Sequence, residues 1–232
     1  MVRRKVTAPQ RARAVPLRRH ATVLALIVLM GSGATGHAQS GHHQQRFQDA
    51  ERWARVFDDP ARDAWQKPDE VIRALTLAPD ALVADIGSGT GYFAVRLARA
   101  APRGHVYGAD IEPDMVGYLA ERGRREGRAN LTSVEAAPDD PRLPQPVDVI
   151  LVVDTYHHIA QRPTYFRRLR ESLRAGGRVA IIDFLPDAPA GPPRQARVAA
   201  TVVKEEMGRA GYGLVTEHTF LPYQYFLVFA TR

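Results

Sequence analysis

Two spacings of apolar residues divide this chain. Phe47, Ala50, Trp53, Ala54 and Phe57 recur every three or four residues, which is one face of a helix. Beyond Asp80 the pattern changes to short apolar runs, at 81–86, 106–109, 131–134, 147–153 and 178–182, separated by longer amphipathic stretches. Short runs of this kind are strands covered on both faces. Strands alternating with helices pair in parallel through right-handed crossovers, so the pattern predicts an α/β sandwich around a buried sheet.

The intervening helices are expected over 92–100, 113–126 and 163–174, the middle one opened by Pro113. Pro68, followed by Asp69 and Glu70, opens an earlier helix reaching about Leu77, with its acids at the positive end of the helix dipole. A proline-rich loop over 185–193 leads to a helix over 196–210 and to closing strands over 213–220 and 224–231. No internal repeat is present.

The first 38 residues follow neither pattern. They carry seven basic residues and no acidic one, then the apolar run 21–30 and the small residues of 31–38. This is the layout of an export signal cleaved after Ala38, and the run is shorter than the roughly 20 residues a membrane-spanning helix needs. The expected organisation is a signal peptide over 1–38, a polar tail over 39–45 and one domain over 46–232, which itself does not span the membrane. That places the mature protein in the periplasm or outside the cell, or in the cytoplasm if the signal is not used. Arg18-Arg19 hints at twin-arginine export, although the residues after them fit that pattern poorly. His42 and His43 read as part of the solvated tail, since no third ligand lies at useful spacing.

The leader also accounts for the charge. The whole chain carries +7, and without its seven leader cations it holds 25 basic and 25 acidic residues, so the high pI does not point to nucleic acid. With no cysteine anywhere, disulfides, thiolate metal sites and thiol nucleophiles are excluded.

Chemistry concentrates at the first strand's end, where Asp85-Ile86 runs into Gly87-Ser88-Gly89-Thr90-Gly91. Glycines there permit a sharp turn and close approach of a ligand, and the next helix turns its free amides toward it. The second strand ends in Asp110, where a carboxylate can accept both hydroxyl hydrogens of a ribose. A dinucleotide fold wants glycine at the sixth loop position, which Tyr92 fills here.

The sequence acid-x-Gly-x-Gly-x-Gly at Asp85, Gly87, Gly89 and Gly91 resembles the first motif of class I S-adenosylmethionine-dependent methyltransferases. From about Trp65 onward the other landmarks follow in order, including 147–159 and the turn 173–178 before the fifth strand. The resemblance implies a Rossmann-like sheet of seven mostly parallel strands in the order 3-2-1-4-5-7-6, the last antiparallel, with helices on both faces. It implies S-adenosyl-L-methionine as cofactor, with Asp85, Gly87, Ser88, Gly89, Gly91 and Asp154 at its binding site. It further implies Asp110 on the ribose, Ile111 beside the adenine, Ala137 lining it and Asp139 reaching its exocyclic amine. Residues 65–68 are expected to close over the methionine end, with Lys67 or Arg62 either meeting its carboxylate or standing as a solvated charge.

Methyl transfer from a sulfonium asks mainly for alignment and exclusion of water, and a base is required only if the acceptor must lose a proton. His157 and His158 after the fourth strand are the candidates, against the alternative that they pack on the cofactor and in the core. Asp154 and Asp183 could hold a divalent cation, but Phe184 stands where the metal-dependent branch has asparagine, so no metal is expected. Tyr223 and Tyr225 read as core residues, with acceptor contact the alternative. The absence of an Asn-Pro-Pro-Tyr type motif and of cysteine leaves a small-molecule or lipid acceptor and no nucleic acid. A monomer or weak dimer is expected. The rival readings are a cofactor-binding protein without turnover and a nicotinamide-dependent oxidoreductase.

Overall fold

The computed structural model describes residue 47 and residues 49–232; the leader and tail expected over 1–45 lie outside the described residues. Helix α1 (Ala50–Phe57), a 3-10 turn (Pro60–Arg62) and the short α2 (Asp63–Gln66) and α3 (Pro68–Leu75) precede the sheet. Then β1 (Leu82–Ile86), α4 (Ala94–Ala100), β2 (His105–Asp110), α5 (Pro113–Arg125) and β3 (Leu131–Glu135) alternate. β4 (Val147–Val153), α6 (Arg162–Leu169), β5 (Leu173–Phe184), α7 (Ala200–Arg209), β6 (Tyr212–His218) and β7 (Gln224–Thr231) complete the chain.

The seven strands lie in the order β3-β2-β1-β4-β5-β7-β6, parallel except for β7, which runs against both neighbours. This is the expected sheet. Alternate residues feed two apolar layers. Val83, Val106, Leu151 and Ile182 pack with Val71 and Leu75 of α3, Leu97 of α4 and Leu119 of α5. Ala84, Tyr107, Ile150 and Ile181 pack on the other face with Phe166 and Leu169 of α6 and Val203 and Met207 of α7. Central strands buried on both sides need apolar residues at every position, which is why they stand out as runs. Among the described residues no helix is long and apolar enough to cross a membrane.

Several boundaries shift from the periodicity: the helix opened by Pro68 ends at Leu75, α6 stops at Leu169 rather than 174, β6 spans Tyr212–His218, and three further shifts have a visible cause. The turn expected over 173–178 is a bulge inside β5: Leu173 pairs with Val147 and Arg178 with Val149, so Arg174 to Gly177 loop out between them, with Gly176 at φ 77°. α7 begins at Ala200 rather than 196, because Arg197 is taken up holding the proline-rich loop. Its guanidinium donates to the carbonyls of Leu185, Pro186, Ala188, Ala190 and Pro192, winding the loop around one side chain. α4 starts at Ala94, two residues late, because Tyr92 belongs to the site.

Candidate functional site

The carboxyl ends of β1, β2 and β4 meet at the glycine loop. Gly87, Gly89 and Gly91 all have left-handed backbones, at φ 72°, 52° and 93°. Only glycine adopts such angles freely. The space agrees, since a Cβ on Gly87 would overlap the Thr155 side chain and one on Gly91 would overlap Leu119. The amides of Gly87 and Ser88 donate to the Ala109 carbonyl at 2.8 and 3.1 Å, fastening the loop to β2.

Asp110 closes β2 with both oxygens engaged, Oδ2 accepting from Gly89 N at 2.8 Å and Oδ1 from Glu112 N at 3.0 Å. Burial pushes its carboxyl up against the pull of those amides. Asp85 is deeply buried at the end of β1, and burial followed by the Asp110 charge pushes it up to about 7. Ile111, beside Asp110, keeps 38% of its surface exposed, which is unusual for an isoleucine at a strand end. The hydroxyls of Ser88 and Thr90 are buried without a hydrogen-bond partner among the described residues. Buried polar atoms are nearly always satisfied, so two unpartnered hydroxyls in one loop suit a ligand that brings its own polar groups.

On the other side, four side chains from separate parts of the chain form a closed polar ring. Arg62 donates to Asp154 Oδ2 at 3.1 Å and to Gln66 Oε1 at 3.0 Å. Gln66 Nε2 donates to Gln224 Oε1 at 2.6 Å, and Gln224 donates in turn to Asp154 Oδ1. Asp154 has a left-handed backbone, φ 53°, and burial pushes its carboxyl up to about 7 although Arg62 pulls it down. Of the two cations expected near a methionine carboxylate, Arg62 is therefore in the cleft. Lys67 instead pairs with Glu70 at 3.6 Å.

Tyr92 holds this ring against the loop. Guanidinium carbons of Arg62 and Arg96 each sit 4.1 Å from its ring centre, and its hydroxyl donates to Asp63. The helix α1 covers the loop from outside. Phe57 lies 3.5 Å from where a Cβ on Gly89 would be, and Arg122 ties Asp58 at 2.8 Å to the Thr90 carbonyl at 3.0 Å. The periodic face Phe47, Trp53 and Phe57 forms one aromatic cluster whose Phe47 meets His158 edge-on, 5.8 Å between centres.

His157 and His158 lie in a 3-10 turn (Tyr156–His158) after β4, their rings 4.1 Å apart. His157 Nδ1 is 2.9 and 3.0 Å from the two oxygens of Asp183, and its amide reaches the same carboxylate at 3.2 Å. Burial pulls the His157 imidazole down, but the Asp183 hydrogen bond and charge raise it above its ordinary value. His158 is pushed down to about 4 by burial and by His157. Tyr156 anchors the turn, donating to Glu206 at 2.6 Å, which Arg162 also grips at 2.7 Å.

Two expected positions stand apart. Ala137 is half-buried in a bridge with Asp140 after β3, and the exposed Asp139 carboxylate turns to Arg168 at 2.7 Å. Tyr225 is buried in the core, whereas Tyr223 is half-buried and faces Trp65. Among the described residues no cluster of three or more acids and histidines has the arrangement of a metal site. Nothing in the sequence marked Gln66 and Gln224 as partners, because a single glutamine, whether before Lys67 or at the start of an apolar strand, carries no signal until the fold buries it against another polar group.

This sheet order, with the glycine loop after β1 and a carboxylate ending β2, defines the class I methyltransferase fold. A family model described as "Methyltransferase domain" matches residues 84–179. An S-adenosylmethionine-dependent methyltransferase structure from Aquifex aeolicus superposes with a TM-score of 0.72 at 23% identity, covering 78% of this chain and 97% of that one. Magnesium protoporphyrin IX methyltransferase from Synechocystis, solved with bound SAH, gives 0.62 at 19% identity, covering 78% and 93%. Among curated proteins, phosphoethanolamine N-methyltransferase 1 of Zea mays is 28% identical over 70% of this chain, which spans 31% of that relative's length.

Proposed function

We propose that the protein is an S-adenosylmethionine-dependent methyltransferase acting on a small-molecule acceptor. The observation that carries this reading is the cradle itself: three left-handed glycines, two orphaned hydroxyls in the same loop, and the half-buried Asp110 carboxylate that holds the loop through the Gly89 amide. Asp110 would take the ribose hydroxyls, exchanging the Gly89 amide for them, and Ile111 offers an apolar face to the adenine. Arg62 and Asp154 form a half-buried ion pair whose members match the carboxylate and ammonium of an amino acid, so a zwitterion can replace each partner for the other. The cofactor, when bound, supplies a sulfonium-activated methyl group. The chain positions it, excludes water with α1 and the 65–68 segment, and orients the acceptor. The methyltransferases it is similar to, named for phosphoethanolamine and a porphyrin, support a small-molecule acceptor.

The test is calorimetry with S-adenosylmethionine and with a nicotinamide dinucleotide. Binding of the first alone is expected, together with release of label from a methyl-labelled cofactor into an extract of small molecules. Affinity for the dinucleotide alone overturns the reading, and cofactor affinity without transfer to any fraction makes the chain a binding protein. The basic leader supports residence outside the cytoplasm. A reporter fused after Ala38 that works only in the cytoplasm sinks that part.

A further inference from the structure

Beside the cofactor cradle the structure holds a second device. Asp183, at the end of β5, is fully buried, and its carboxylate accepts from the amides of His157 and Phe184 as well as from the His157 ring. An ionised carboxylate only accepts, so its partner Nδ1 carries the imidazole hydrogen. The other ring nitrogen, Nε2, is then a lone pair, and among the described residues nothing hydrogen-bonds to it. A neutral imidazole fixed in that tautomer by a buried acid is set up to accept one proton and to have its new charge balanced.

We propose that His157 is the base that deprotonates the methyl acceptor, that Asp183 positions it, and that the acceptor is therefore a phenol or an enol. The inference rests on the methyltransferase reading. The acceptor class follows from acidity. A phenol ionises with a pKa of about 10, within reach of an imidazole, whereas an aliphatic alcohol lies near the about 15.7 of water. A neutral amine attacks through its own lone pair and needs no base beforehand. In the reaction, the hydroxyl proton moves to Nε2 and the oxygen pair forms a bond to the methyl carbon. The carbon–sulfur bond breaks with its electron pair returning to sulfur, and the imidazolium later loses its proton to solvent. The products are a methyl ether and a neutral thioether.

Trp65 packs 5.6 Å from Phe184 and 6.0 Å from Tyr223, an aromatic group at the carboxyl end of β5. The loop wound on Arg197 begins there, its Leu185 amide donating to the Tyr223 carbonyl at 3.0 Å. The charged and titratable groups around His157 are Asp183 on β5, Asp154 after β4, His158 beside it and Arg162 on α6. Tyr225 on β7 pairs with Asp183 across the sheet, and its buried hydroxyl has no partner among the described residues. Burial, then the Asp183 charge, pushes that hydroxyl up, so it stays neutral.

The test follows the imidazoles of histidine-labelled protein by magnetic resonance from about pH 5 to about pH 9. It is paired with methyl transfer to hydroquinone, 4-hydroxybenzoate and aniline as probes. A hydrogen-bonded Nδ1 proton, with His157 titrating above an ordinary histidine, is expected in the unaltered protein, which needs no variant to fold. Asp183→Asn is expected to abolish that signal and lower the His157 titration. It should reduce kcat by about 100-fold with KM little changed and move the acid limb of the rate profile to lower pH, a shift that mere loss of packing does not produce. His157 titrating identically with and without Asp183 overturns the proposal, as does methylation of aniline but neither phenol. Turnover of none of the three probes by a protein that binds the cofactor also overturns the proposal. Calorimetry on the same sample separates the two failures, since a chain that binds no cofactor fails as a methyltransferase whatever its histidine does.

Discussion

At the carboxyl ends of β1 and β2 the cleft is walled by main chain; at the ends of β4, β5 and β7 it is walled by side chains. The first wall consists of three glycines and the amides that fasten them to Ala109 and Asp110, all close in sequence. The second assembles Arg62, Gln66, Asp154, His157, Asp183 and Gln224 from four stretches that meet only in the folded sheet. A wall of backbone tolerates few residue types at each position, because its angles restrict them locally. A wall of side chains can be exchanged one residue at a time without moving the main chain.

This contrast can be broken in order of expected effect. Gly87→Val should be the most damaging single change, since it forces a β-branched residue to φ 72° and into Thr155. A loss of about 2–4 kcal/mol in urea unfolding, with cofactor binding abolished, is expected. A variant as stable as the parent would show that the loop is not held by its glycines. Asp110→Ala should leave the fold standing but strip the ribose of its charged acceptor, worth about 1.5–3 kcal/mol. Calorimetry should then report about 10- to 150-fold weaker cofactor binding, and unchanged affinity would remove Asp110 from the site.

The smallest effect concerns pH and the side-chain wall. Asp154 has its folded pKa raised from 3.8 to about 7, chiefly by burial. Between those values the folded state holds more protons than the unfolded one, so the ligand-free protein loses stability as pH rises through that window. Asp85, raised to about 7 by burial and by Asp110, acts in the same direction. The raised His157 adds to the fall at the upper end. Asp154→Asn should therefore make the decline in unfolding midpoint between about pH 4 and about pH 7 shallower without removing it, Asp85 and His157 supplying the rest. A slope identical to the parent's would mean that Arg62 keeps Asp154 ionised throughout.

Much of the architecture was legible beforehand because a sheet buried on both faces leaves continuous apolar runs, and β4 and β7 appear in the sequence at the lengths they have in the fold. What blurred were places where polar contacts override propensity. The bulge of Arg174 to Gly177 hides inside β5, and Arg197 holds five carbonyls that delay α7. In the site, Asp85, Asp110 and the glycines were readable from their spacing, because backbone geometry restricts residue type locally. The Asp183–His157 pair was not, since nothing near either residue records that the fold brings one side chain onto the other at the ends of β4 and β5.

By itself the sequence determined the glycine turn, the two strand-end acids and the alternation that orders the layers, because each is written in residues within a few positions of one another. Only the tertiary structure decided which cation enters the cleft, which histidine faces a buried acid and which glutamines close the polar ring. Those depend on burial and on the meeting of distant segments, and burial is a property of the assembled sheet rather than of any stretch of chain.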